Sequence, residues 1–258
     1  MKLFTKLIGL LARIRKPQPL VQLLIKIYCK LYKIDTSKQN IDYYPTLNSF
    51  FTRSISRDRD NDPQTLVSPA DGQLVQLGNI EESTLIQIKG STYTLNELLK
   101  NDALAHQFIN GSYCNIHLRP FDYHRFHMPI SASISGYGYI KGKLFPVNVR
   151  ARKYIAKLYT KNERLITILE TPYGKILFIA IGALGVGAIK VKYTERYNDM
   201  YHYFDAPLNL HKGDELGHFE LGSSILLVFE KDQIIFDQAI HAGDEVTYGL
   251  KIATLTRI

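Results

Sequence analysis

Only two cysteines occur in this 258-residue chain, and Cys29 and Cys114 are far apart in sequence. That excludes a disulfide framework and any paired-cysteine zinc site, and a reducing compartment fits best. No apolar run reaches eighteen uninterrupted residues, so the sequence offers no spanning helix and any membrane association is expected to be peripheral. Acidic residues are missing from residues 1–34, which carry eight Lys/Arg, while the remainder holds 24 charges of each sign. The formal +8 is thus confined to the first eighth of the chain, and a neutral body argues against nucleic-acid binding. With 45% apolar and 22% charged residues the chain buries a sizeable core, which excludes wholesale disorder.

The basic leader is patterned. At about 100° per residue, Lys2, Lys6, Gly9 and Arg13 fall on one side of a first predicted helix, opposite Leu3, Phe4, Leu7, Leu10, Leu11 and Ile14. Lys16-Pro17-Gln18-Pro19 breaks the pattern. A second amphipathic stretch from Leu20 to Ile34 carries Gln22, Lys26, Lys30 and Lys33 as a narrow polar stripe. Basic polar faces opposite broad apolar ones suit an interfacial helix on anionic headgroups, and helices packed on the body are the plainer alternative. Lys6 and Arg13 interrupt any signal-peptide core and no small-residue cleavage site follows, so the segment is expected to remain in the mature protein.

From about Leu66 the pattern turns to short β-type runs punctuated by glycine, at Gln73–Ile80, Thr84–Lys89, Ser131–Tyr139 and Leu165–Leu169. Thr171-Pro172-Tyr173-Gly174 predicts a hairpin turn between 165–170 and 175–180. Lys231-Asp232 predicts another, pairing 225–230 with 233–237. One short helix is predicted at Leu95–Lys100, where Thr94 and Glu97 form a capping box. No internal repeat or low-complexity tract is present.

Histidine is the natural general base near neutral pH, and three of the eight crowd together at His117, His124 and His127. By spacing alone His124 and His127 could ligate a metal, with no third ligand nearby, or be ordinary packed histidines. Ser68-Pro69-Ala70-Asp71-Gly72 places one carboxylate in a turn, and Leu221-Gly222-Ser223-Ser224 places a Gly-Ser pair before a buried-looking strand. Each segment is weak by itself.

In order along the chain these segments resemble the phosphatidylserine decarboxylase family, in its long bacterial-type form, over about residues 43–258. Leu47 to Arg53 looks like the family's Phe-Phe-x-Arg element, and Ser68 to Gly72 its Pro-Ala-Asp-Gly turn. Leu85 to Gly90, the Asp-Tyr-His-Arg-x-His-Met-Pro block at Asp122 to Pro129, Leu144 to Asn148, Asn162-Glu163-Arg164 and the glycine-rich 182–187 follow in the family's order. The Leu-Gly-Ser word at Leu221 to Ser223 completes the run. Ser224 stands where the long form usually has threonine; a hydroxyl is retained, so processing is expected to survive.

The resemblance implies that Ser223 attacks the Gly222 carbonyl, with His127 and Asp71 at the positions of the base and its orienting carboxylate. The ester then eliminates, the chain is cut into 1–222 and 223–258, and a covalent pyruvoyl group derived from Ser223 is left as the cofactor, with no metal. It further implies a Schiff base with the amine of phosphatidylserine, loss of CO2, reprotonation by His124 and release of phosphatidylethanolamine. The expected fold is α+β: amphipathic helices over 1–34, then a mainly antiparallel β catalytic domain over 35–258 with lipoyl-like β elements. Expected partners are phosphatidylserine, an anionic membrane surface at the cytoplasmic face of a bacterial cell membrane, the two processed chains held together, and a second copy of the chain. Arg119 and Arg125 are candidate phosphate contacts, or equally hold loops through carbonyl contacts. Two alternatives stay open. A metal-dependent hydrolase using His124 and His127 would be chelator-sensitive. A biotinyl/lipoyl-type carrier is suggested by the glycine spacing of His241 to Ala253, although the segment has no modifiable lysine at a hairpin tip.

Overall fold

The computed structural model describes residues 11–34, 40–58, 60–88, 91–183, 189–198, 200–220 and 223–256. Most of the first predicted helix, Lys89-Gly90, residues 184–187 of the glycine-rich segment, and Leu221-Gly222 lie outside the described residues.

An eight-stranded antiparallel sheet organises the molecule. Across it run Tyr201–Leu210, Ala132–Ile140, Arg164–Thr171, Gly174–Gly182, Ser223–Phe229, Ser112–Leu118, Gly72–Asn79 and Glu245–Val246. Ser223–Phe229 is apolar at nearly every position because both faces of the sheet are covered there. Ile225, Leu227 and Phe229 join Phe126, Phe178 and Phe219 in one core, while Leu226 and Val228 join Leu98, Phe108 and Tyr159 in a second core on the opposite face. Each such side chain contributes about 2 kcal/mol by burial. The exposed edge strand Tyr201–Leu210 tolerates Pro207 because its register breaks between Tyr203 and Leu208.

Two three-stranded sheets flank it. Ile189–Val191, Glu215–Phe219 and Arg125–His127 form one, and Thr65–Val67, Lys251–Leu255 and Ile234–Phe236 form the other. The α+β class and the mainly antiparallel body are therefore as expected. The hairpin at Thr171–Gly174 is present, with Thr171 opposite Gly174 and Gly174 at φ 106°, a conformation that favours glycine. The predicted pairing across Lys231-Asp232 is not. Ser223–Phe229 is already flanked on both sides by Gly174–Gly182 and Ser112–Leu118, so Ile234–Phe236 pairs with Lys251–Leu255 instead. The Thr94–Glu97 capping box opens a helix at Leu95–Leu99. Short helices at Leu47–Phe51, Asp102–His106, Val149–Tyr154 and Leu158–Lys161 were not anticipated, although Thr46, Asn101 and Asn148 cap the first three.

The long helix spans Gln18–Tyr32. It is apolar on two faces rather than one. Val21, Ile25 and Cys29 are buried against Phe50, while Leu20, Leu23, Ile27 and Leu31 are exposed, Leu31 by 70%. Among the described residues no helix is long and apolar enough to cross a membrane. The inward face ties the helix to the histidine-bearing segment: Tyr28 donates its hydroxyl to the Pro120 carbonyl and packs edge-on against Phe51.

Candidate active site

Ser223 opens the central strand, opposite Leu118 on one side and Gly182 on the other, and is fully buried. Its Oγ has no hydrogen-bond partner among the described residues. A buried hydroxyl is normally paired, so an unpaired one at this position is free for chemistry. Its carbonyl oxygen lies 3.2 Å from His117 Nδ1. Successive residues of a strand point to opposite faces, so Ser224 faces away from Ser223, into a buried polar group where the Tyr159 hydroxyl lies beside Arg152, Asn115 and Ser224. Burial raises the Tyr159 pKa.

His124 is fully buried with its ring over Phe51, centroids 3.9 Å apart. Its Nδ1 lies 2.8 Å from the Asp122 carbonyl, which only accepts, so Nδ1 carries the hydrogen and Nε2 a lone pair. That Nε2 has no partner among the described residues. Burial pushes the His124 pKa down to about 3, so the ring is neutral at physiological pH. The His124 carbonyl accepts from Phe219 N at 2.9 Å, which ties this residue to the segment leading into Ser223.

His127 lies in the short strand Arg125–His127. Nδ1 donates to the Gly213 carbonyl at 2.9 Å and Nε2 accepts from the Tyr123 hydroxyl at 3.0 Å. Its pKa is lowered by burial. Asp71, in the turn after Thr65–Val67, accepts from Tyr248 N at 2.8 Å and from both Arg57 guanidinium nitrogens, one at 2.8 Å. The Tyr248 ring stacks on His127 at 3.9 Å. Asp71 and His127 thus both contact Tyr248, one at its backbone N and the other at its ring, and no hydrogen bond joins them directly or joins His127 to Ser223 among the described residues. The turn itself is held by Ser68 Oγ to the Ala70 carbonyl at 2.7 Å and by His127 N to the Pro69 carbonyl at 2.9 Å. Gly72 is needed there, because a Cβ would fall 2.5 Å from the His117 carbonyl oxygen.

The two candidate phosphate contacts each hold acidic partners. Arg119 pairs with Asp122 and Glu245, and Arg125 with Glu215 and the Thr52 carbonyl. Sequence reasoning missed Arg57, Tyr123, Tyr248 and Phe51 as neighbours of the site, and gave His117 no role. Tyr123 lies inside the Asp122–Pro129 block, Phe51 inside the Leu47 to Arg53 element and Tyr248 inside the His241 to Ala253 segment, but none was singled out. Beside His117 a pocket of about 120 Å³ is bounded by Leu118, Pro120, Val147 and Ala183 among others. The metal alternative gains nothing from this geometry: His127 already uses both ring nitrogens, and among the described residues no three His, Cys, Asp or Glu side chains group as ligands. The carrier alternative is not favoured either, since Glu245–Val246 and Lys251–Leu255 belong to different sheets.

Comparison with known proteins agrees with the order of motifs. The family model described as phosphatidylserine decarboxylase matches residues 47–254. The chain is 34% identical to the phosphatidylserine decarboxylase proenzyme of Myxococcus xanthus (strain DK1622), covering 96% of this chain and 92% of that protein. It is 36% identical to the proenzyme of Brevibacillus brevis, covering 92% and 89% respectively.

Proposed function

The chain belongs to the phosphatidylserine decarboxylase family, and on that footing we propose that it cuts itself between Gly222 and Ser223 and then converts phosphatidylserine to phosphatidylethanolamine and CO2. The observation that carries the reading is the buried Ser223 Oγ at the head of the central strand, without a hydrogen-bond partner among the described residues. The same orphaned hydroxyl fits Ser223 as the source of a pyruvoyl group. That group would supply a ketone for the substrate amine and an electron sink for decarboxylation.

The chain's own residues do the rest. Serine is a poor nucleophile until a base takes its proton. His127 is held with Nδ1–H on Gly213, so its Nε2 lone pair is the basic position, and the Tyr123 hydroxyl must move off it to admit the Ser223 proton. Asp71 supports His127 indirectly in the uncut chain, fixing the backbone of Tyr248 whose ring lies on the imidazole. His124 handles the proton of decarboxylation. A proton placed on its Nε2 is weakly held in so buried a site and is released readily. Phe51 and Tyr28 close water out above that ring.

The exposed Leu20, Leu23, Ile27 and Leu31, bordered by Lys26 and Lys30, would lie on the membrane where the diacyl substrate resides. Each lysine near an anionic surface contributes about 1 kcal/mol. Residues 1–34 are thus the docking element and 35–258 the catalytic domain. Residues 223–258 supply strands to the large sheet and to the Thr65–Val67 sheet, which would keep both pieces together after the cut. The test is release of labelled CO2 from carboxyl-labelled phosphatidylserine vesicles, with and without chelator. Chelator-insensitive release that Ser223→Ala abolishes is expected. A Ser223→Ala protein that still releases CO2, or chelator-sensitive hydrolysis without CO2, would overturn the reading.

A further inference from the structure

His117 shares the face of Ser224 across the sheet, yet its imidazole reaches back to Ser223, with Nδ1 3.2 Å from the Ser223 carbonyl oxygen. A carbonyl only accepts, so Nδ1 carries the hydrogen and donates. The ring is 8% exposed, and its backbone is clamped between Gln73 and Ser224 in adjacent strands. Burial pushes its pKa down to about 4, so the ring is neutral at physiological pH. No step described above uses this bond.

We propose that His117 is a further catalytic residue of maturation, donating its Nδ1–H to the Ser223 carbonyl oxygen while the Ser223 Cα proton departs. This rests on the self-cleavage reading above. Once Oγ carries the Gly222 acyl group as an ester, the Cα–H bond breaks and its electron pair becomes the second Cα–Cβ bond. The Cβ–Oγ bond breaks and its pair leaves with the Gly222 carboxylate, while water carries the proton off. The dehydroalanine so formed takes up water and loses ammonia.

Cα is bonded to one carbonyl carbon, that of Ser223, so the charge that develops as the proton leaves gathers on the oxygen His117 faces. A fixed donor there strengthens as the oxygen becomes negative, which lowers the barrier without tightening the ground state equally. The donor faces the carbonyl on the far side of Ser223 from the bond that is cut. Elimination, rather than the preceding acyl shift, depends on it.

The experiment follows the 223–258 fragment by intact mass in the full chain, comparing wild type, His117→Phe and His117→Asn. Phenylalanine keeps a buried ring without the donor, and asparagine keeps an N–H near the Nδ1 position. A pyruvoyl-ended fragment is lighter than a serine-ended one by one ammonia, and hydroxylamine splits the ester to give the serine end. His117→Phe is expected to accumulate hydroxylamine-sensitive ester and to form the pyruvoyl end roughly 100-fold more slowly, the scale of losing one such donor. His117→Asn is expected to recover most of the rate. A His117→Phe chain that matures at the wild-type rate, or that stalls with no ester present, would overturn this proposal alone. A wild-type chain that never cuts would overturn the self-cleavage reading and this proposal with it.

Discussion

Acidification should unfold this protein through its buried histidines, and the size of the effect follows from two of them. His124 and His117 are held near pKa 3 and 4 in the folded chain, against about 6.5 when unfolded. The unfolded state therefore takes up about 1.5 protons, as pH falls from 7 to 5, that the folded state refuses, and stability drops with pH over that window. Each histidine costs about 2 kcal/mol between pH 7 and pH 5, or about 4 kcal/mol together, a large part of a domain's usual 5–15 kcal/mol. His127 and His218 are pushed down by burial too and add loss of the same sign. The perturbation is best made in the Ser223→Ala chain, which stays uncut. Urea unfolding followed by circular dichroism at pH 7 and pH 5 gives the difference. Replacing both His117 and His124 with asparagine should shrink the loss by about 4 kcal/mol. A loss under about 1 kcal/mol in the parent chain, or one the double variant leaves intact, would refute the burial of neutral rings at the site.

Other consequences are as direct. Glutamate at Leu23, Ile27 and Leu31 should abolish flotation with anionic liposomes while self-cleavage proceeds, because these side chains point away from the Val21, Ile25 and Cys29 face; unchanged flotation would remove the docking role. Deleting residues 1–34 is a poorer test, since it also strips Tyr28 from Pro120 and Phe51. Gly72→Ala forces a Cβ to 2.5 Å from the His117 carbonyl oxygen and should cost about 1–3 kcal/mol in thermal unfolding. Arg57→Met leaves Asp71 with Tyr248 N as its remaining partner among the described residues and should slow appearance of the 223–258 fragment at unchanged fold, as time-resolved gels would report.

What the sequence made legible was local. The capping box at Thr94 and Glu97, the Thr171–Gly174 turn and the histidine block were readable because their residues lie within a few positions of each other. The leader was half legible. Its periodicity revealed a narrow polar stripe opposite a broad apolar face, but which part of that face meets the body is set by Phe50 and its neighbours, which lie outside the helix. The Lys231-Asp232 turn misled because a short connection does not ensure pairing once a strand's two neighbours come from elsewhere. The link from Asp71 to His127 passes through Tyr248, 177 residues along the chain from Asp71, and no periodicity encodes it. His117 was visible as a histidine and invisible as a donor, since its partner carbonyl lies 106 residues away.

The most direct test of the account is intact mass spectrometry under denaturing conditions, comparing the wild-type chain with Ser223→Ala. The account predicts a 36-residue fragment, residues 223–258, with a pyruvoyl end in the wild type and an uncut 258-residue chain in the variant. An uncut chain in both samples after incubation with membranes would contradict it.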